Sequence, residues 1–162
     1  MKYTIREIKE TEYGLLNDFL FEAIYVPSGM EPPDRSILDL PEMRVYVDNF
    51  SKKFGHRCLV AEVDDKIVGA VWARVMKDYG HVDEDSPSLA ISLYKEYRNQ
   101  GIGTEMMKQM LAMLKKDGYK RASLSVQKAN YATKMYKSLG FEIVVDNPEE
   151  YIMVVNLQED RR

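Results

Sequence analysis

"YRNQGIGTEMMKQML", residues 97–111, is the stretch on which the reading of this chain turns. Arg98, Asn99, Gln100, Gly101, Ile102 and Gly103 form a compact cluster that runs straight into a Met- and Leu-rich stretch. Met106, Met107, Met110, Leu111, Met113 and Leu114 predict a broad apolar face on a helix over roughly 103–117, with Gly118 as its stop. Just upstream, "LAISLY" (89–94) is short and mostly apolar, the pattern of a central strand. A helix start carries unpaired N–H groups and the positive end of the helix dipole. Successive amides in such a turn form a nest for an anion, and glycine lets a phosphate approach the main chain. Thr104 adds a hydroxyl in the first turn, and Arg98 adds a cation. The competing reading is a helix that merely begins at a glycine-rich turn.

Two phosphate motifs are excluded by residue type. A P-loop needs Gly-Lys-Ser/Thr, and no lysine stands in this turn. A dinucleotide fingerprint needs a small residue three positions after the second glycine, where this chain has Met106.

Outward from this segment, "KYTIREI" alternates as a first strand, and "TEYGLLNDFLFEAIYV" (11–26) predicts an amphipathic helix with Thr11 as a possible cap. The prolines and glycine of 27–36 make a loop, and 38–54 predicts a second helix with Pro41 near its first turn. "HRCLVAEV" and "KIVGAVWARVM", joined by Asp64-Asp65, predict a hairpin, and an acidic loop follows over 78–88. After the glycine turn and its helix come a strand (121–126), a helix (130–141) and two last strands around an Asn147-Pro148 turn. The order is β-α-α-β-β-β-α-β-α-β-β. It predicts an α/β fold with a mixed central sheet flanked by helices.

The composition suits a single globular domain over residues 1–162: 45% hydrophobic, 30% charged, net charge −3. That balance disfavours nucleic acid as a partner. No long apolar run or leader pattern stands out, which predicts a cytoplasmic protein without a membrane partner. Cys58 is the only cysteine and lies in a strand-like run, so it reads as a buried structural thiol. No Cys/His spacing predicts a metal site, and His56 and His81 show no nucleophile pairing.

Downstream lies a second constellation, "NYATKMYKSLGF", with Asn130, Tyr136, Gly140 and Phe141. With both motifs in this order the chain resembles the Gcn5-related N-acetyltransferase (GNAT) superfamily. Its signature is Arg/Gln-x-x-Gly-x-Gly/Ala after a strand, then a helix carrying Asn, Ala, Tyr and Gly-Phe. The element order matches along nearly the whole chain. Three details depart from the usual pattern. Asn130 and Tyr136 stand one residue closer than the commonest spacing, Lys95 replaces a frequent proline, and Asn99 replaces a frequent glycine. Asn tolerates left-handed backbone well, so the last change is mild.

The resemblance implies a mostly antiparallel GNAT-like (acyl-CoA N-acyltransferase) sheet that binds acetyl-CoA as cosubstrate. Arg98, Asn99, Gln100, Gly101, Ile102 and Gly103, with Thr104 behind them, would cradle the pyrophosphate. The backbone of Ile91, Ser92 and Leu93 would pair with the pantetheine arm, in a gap before strand 121–126. Tyr136 would protonate the departing thiolate. A phenol with a pKa of about 10 is protonated at neutral pH and can donate as charge builds on sulfur. Asn130 would meet the pantetheine or a bound water. The plainer alternatives are a core tyrosine and a helix cap.

Transfer to a lysine-like amine also requires freeing its lone pair, which costs roughly 4.6 kcal/mol at pH 7. Desolvation or a base can lower this. Glu62, Asp83, Glu84 and Glu96 are the candidate bases, none singled out by pattern, and each reads more simply as a solvated carboxylate. The acidic run 83–85 could line an acceptor mouth, and the loop 26–35 is the family's usual acceptor side. Trp72 and Tyr79 could stack on a ligand or simply pack. The expected partner is a small-molecule or peptide amine, with a homodimer possible by analogy. A non-catalytic acyl-CoA-binding or sensing module on the same fold is the alternative function.

Overall fold

The structure is a computed structural model and describes residues 2–158. The domain span read from the sequence extends to Met1 and to residues 159–162, which lie outside the described residues. Strands β1 (Thr4–Glu7), β2 (Arg57–Val63), β3 (Lys66–Arg74), β4 (Ser88–Leu93), β5 (Arg121–Gln127), β6 (Glu142–Asp146) and β7 (Glu150–Asn156) form one sheet. Its order is β1-β2-β3-β4-β5-β7-β6. Helices α1 (Leu15–Ala23), α2 (Pro41–Arg44), α3 (Ile102–Lys116) and α4 (Ala132–Ser138) accompany it. Every neighbouring pair is antiparallel except β4 and β5, which are parallel. The mixed, mostly antiparallel sheet expected from the sequence is therefore the observed architecture.

The β2–β3 hairpin shows why the sheet has two covered faces. Asp64 (φ 49°) and Asp65 (φ 65°) adopt the two left-handed conformations that a tight hairpin turn demands. Along β2, Cys58 and Val60 face one core while Leu59, Ala61 and Val63 face the other. Val68 has no partner opposite Ala61/Glu62, so a bulge reverses the alternation on β3 there. The first core takes Ile102, Met106, Met107, Met110 and Leu114 from α3. The second takes Leu16, Phe19 and Leu20 from α1 and Met43 from α2, packed on Trp72.

Two predicted helices are shorter than their periodicity suggested. Thr11 does not cap α1: it sits in a separate 3-10 turn, Glu10–Glu12, and Gly14 stands before the helix. Glu12 is held there by the Lys9 amide (2.8 Å) and by a two-pronged bond from Arg6 (2.9 Å each). The predicted helix over 38–54 is regular only across Pro41–Arg44, flanked by 3-10 turns at Arg35–Asp39 and Lys52–Phe54. Val45 and Val47 are poor helix formers, and Asn49 (φ 56°) turns left-handed. The apolar spacing still marked the inward side, since Met43, Tyr46, Val47 and Phe50 are all buried.

Candidate active site

β4 and β5 touch through one bridge, Ser88 to Ser123, with the Ser123 amide on the Pro87 carbonyl at 3.0 Å. Beyond that point they diverge, and the opening is a cavity of about 730 Å³. The strand register says which groups look into it. The Tyr94 amide bonds the Val68 carbonyl on β3 at 2.9 Å. In an antiparallel ladder bonded residues alternate, so Ser92 is also spent on β3, opposite Ala70, while Ile91 and Leu93 turn their amides and carbonyls towards the gap. The Leu93 carbonyl is taken by Arg98 Nε at 2.9 Å. Of the three residues expected to pair with a pantetheine arm, Ile91 thus offers an unspent edge, and it lines the cavity. Ser92 does not: its hydroxyl also donates to the Phe19 carbonyl at 2.6 Å.

The glycine turn sits beyond the end of β4. Asn99 (φ 61°) and Gly101 (φ 85°) are both left-handed, and Gly101 is the residue from which α3 springs. No side chain caps that end of α3, so the first-turn amides of Ile102, Gly103 and Thr104 carry the helix's positive end without a protein partner from a cap. A side chain on Gly101 would meet open space but would have to accept the left-handed φ. The turn is fixed by its other members. Arg98 also reaches the Glu22 carbonyl at 3.3 Å, so it ties the turn to β4 and α1, and Gln100 Nε2 donates to the Glu96 carbonyl at 3.0 Å.

α4 closes the far side. Tyr136 is 8% exposed, lines the cavity and stacks edgewise on Phe141 at 5.8 Å. Burial pushes its phenol up to about 12, which keeps it protonated. Asn130 lines the cavity and also caps the helix start, its Oδ1 accepting from the Ala132 amide at 2.9 Å.

None of the four candidate bases borders the cavity. Glu62 bonds Arg6 at 3.3 Å, Asp83 is paired with Arg121, Glu84 lies 3.8 Å from His81, and Glu96 sits in the 3-10 turn before the glycine loop. The acidic run 83–85 is likewise absent from the cavity wall. Glu149 and Glu150 are on it instead, beside Asn147 and Pro148.

A polar group at the closed end of the gap was missed in the sequence. Ser88 Oγ donates to Asp78 Oδ1 at 2.7 Å, and the Tyr46 hydroxyl lies against the Asp78 carboxylate and Ser125. Tyr46 and Ser125 line the cavity. Desolvation pushes both the Asp78 carboxyl and the Tyr46 phenol up. Gly80 seats this loop on β5, where a Cβ would come within 2.9 Å of backbone atoms of Leu124 and Ser125, and its carbonyl accepts from Ser123 Oγ at 2.7 Å. The glycine two residues after Asp78 was the available sequence signal.

The remaining candidates are structural or peripheral. Cys58 is buried and desolvation raises its thiol well above the ordinary value. Trp72 is fully buried and donates to the Tyr46 carbonyl at 3.0 Å, whereas Tyr79 is half exposed on the cavity wall. Among the described residues no group of three or more His, Cys, Asp or Glu could hold a metal, and no helix is long and apolar enough to cross a membrane.

The model of the acetyltransferase (GNAT) family matches residues 20–141. The chain is 33% identical over 86 residues to a probable N-acetyltransferase camello of Xenopus laevis, covering 51% of this chain and 37% of that one. It is 29% identical over 135 residues to an N-alpha-acetyltransferase of Saccharolobus solfataricus, covering 72% and 80%. The match thus spans well under half of the first relative and most of the second. Among solved structures, yncA, a putative acetyltransferase of Salmonella typhimurium with its cofactor acetyl-CoA, superposes with a TM-score of 0.70 at 14% identity, covering 100% of this chain and 98% of that one. At that identity the likeness is one of fold.

Proposed function

Because the chain belongs to the acetyltransferase (GNAT) family, we propose that it moves the acetyl group of acetyl-CoA directly to a primary amine, with Tyr136 as general acid. One observation carries this reading. A spare strand edge at Ile91 and a buried phenol at Tyr136 line one opening between β4 and β5, and the uncapped helix start at Gly101 follows the end of β4, although residues 98–104 are not on the cavity wall. The residues present fit the cosubstrate. Ile91 would add the pantetheine amides to β4 as a further strand would. The first-turn amides of α3 would hold the diphosphate. Bound acetyl-CoA supplies the thioester that is cleaved; Tyr136 donates the proton that the departing sulfur needs. Cys58, the chain's one cysteine, is buried and is not part of the cavity wall, which supports direct attack by the amine over a thioester on the protein.

The relatives' names support a first choice of acceptor. An N-alpha-acetyltransferase among them directs the first trial to peptide α-amines, with small amines next. The test is thiol release from acetyl-CoA by purified protein with a panel of free-amine peptides, an N-blocked lysine peptide and spermidine. Turnover with one class supports the transferase. Tight acetyl-CoA binding with no turnover across the panel would instead favour a non-catalytic acyl-CoA-binding module.

A further inference from the structure

We infer that the acceptor is an amine carried beside a large apolar group, as in a peptide with an aliphatic or aromatic first residue or in a small arylalkylamine, and that Ile37 and Tyr79 select it. The inference rests on the transferase reading above and names the acceptor class of that same cavity.

The sheet divides the cavity in two. Leu89 and Ile91 of β4 and Leu124 and Val126 of β5 turn to the face that α3 covers, and Tyr136 packs with them. Strand alternation sends Ala90 and Ser125 to the other face. That face belongs to α1: Ala90 packs on the core beneath it, and the neighbouring Ser92 hydroxyl donates to the Phe19 carbonyl at 2.6 Å. The loop of Tyr79 crosses the same face, since Ser123, two residues from Ser125, donates to the Gly80 carbonyl. Because β4 and β5 part between these residues, the proton donor stands on one side of the opening and a second chamber on the other.

That chamber is apolar where it is deep and acidic at its rim. The strands give it only the small side chains of Ala90 and Ser125, which leaves space above them. Its wall is Leu20, Ile24, Ile37 and Met43, with Tyr46 and Tyr79. Among the described residues of the whole cavity wall the only charged ones are Glu149, which is exposed, and Glu150 at the start of β7. Two carboxylates and no cation attract an ammonium and repel an acidic entrant. Further in, the ammonium leaves water, which makes its proton easier to lose but costs free energy. A large apolar group buried beside the nitrogen offsets that cost, and a small or highly charged amine has nothing to offset it with. One proton of the ammonium then leaves to solvent, and the nitrogen forms the C–N bond as the C–S bond breaks. Tyr136 protonates the sulfur, and the nitrogen's second proton replaces the one it gave. The products are an amide, a thiol and one proton.

The test measures kcat/KM by thiol release with peptides that differ only in their first residue (Leu, Phe, Gly or Asp), and with phenethylamine beside ethylamine and spermidine. The expected result is a preference of about tenfold or more for the apolar members of a series, carried mainly by KM. The series that turns over tells whether the source is a peptide or a small amine. Ile37 is partly buried and Tyr79 half exposed, so both can be changed without opening either core. Ile37→Ser and Tyr79→Ala should each shrink the preference by about threefold or more. Acetyl-CoA affinity, read by titration, should stay at the wild-type value and shows that the fold survives. Wild-type turnover that is equal across a series, or that favours Gly, Asp or spermidine, would overturn the inference and leave the transferase reading intact. A preference that neither variant reduces would overturn the part given to Ile37 and Tyr79. Acetyl-CoA binding without turnover on any amine would overturn the transferase reading itself, and this inference with it.

Discussion

A phenol is available as a general acid when it stays protonated at the working pH, and Tyr136 meets that condition. Its only resolved influence is desolvation, which holds it near 12. Tyr136→Phe should therefore cut kcat by about 10²-fold and leave acetyl-CoA affinity unchanged, as steady-state kinetics beside a binding titration would show. Equal turnover would remove its role. His56 gives a second expectation, this one about stability. The Ser51 amide donates to its Nδ1 at 3.0 Å, so that nitrogen must be bare. Desolvation, aided by Arg74, lowers the imidazole to about 4 from its ordinary 6.5. As pH falls below 6.5 the unfolded chain binds a proton that the folded chain refuses until about 4. The contribution is complete above 6.5 and is lost across the window down to about 4. Denaturation midpoints at pH 7 and pH 5 should differ less in His56→Gln than in wild type; an unchanged difference would contradict this.

Among the elements, the turn before α3 is the most constrained. Gly101 holds φ 85°, so Gly101→Val asks a β-branched residue to sit left-handed, at about 1–2 kcal/mol. The turn should relax, and acetyl-CoA affinity should fall roughly tenfold or more, a shift that isothermal titration can read. Gly80→Val should act on another element. Its Cβ would strike β5 backbone at 2.9 Å and lift the loop carrying Asp78, costing about 1–3 kcal/mol in a denaturant melt. The two glycines also show what sequence can reveal. Gly101 stands in a run whose neighbours, strand before and helix after, announce its purpose. Gly80 stands in an acidic loop, and only the crossing of that loop over β5 explains it. The same contrast separates the strands from the helices. Strand alternation and the Asp64-Asp65 turn were legible because each depends on adjacent residues. The break-up of 11–26 was not, because Arg6 on β1 fixes Glu12 from another element. Tyr46 and Asp78 lie 32 positions apart in chain, and no local pattern joins them.

At the scale of the molecule, the sheet has a covered core on each face and one place where it fails to close. The core under α3 spans that place, joining Leu89 and Leu93 of β4 to Leu124 and Val126 of β5, whereas the core under α1 has no residue from β5. The gap leaves Ile91 with an unspent strand edge, which a bound chain of amides would complete. Filling it should stabilise the whole fold. Acetyl-CoA at a hundred times its dissociation constant adds about 2.7 kcal/mol, a rise in Tm of roughly 5–10 °C for a chain of this size. Desulfo-CoA or free CoA should do the same, because the amides and phosphates carry the binding, whereas free acetate should not. The most direct measurement is calorimetric titration of the protein with acetyl-CoA, beside a variant with bulky residues at Gly101 and Gly103. The account predicts saturable binding at one site per chain in the wild type and its loss in the variant. A wild type that takes up no heat and binds no acetyl-CoA would contradict it.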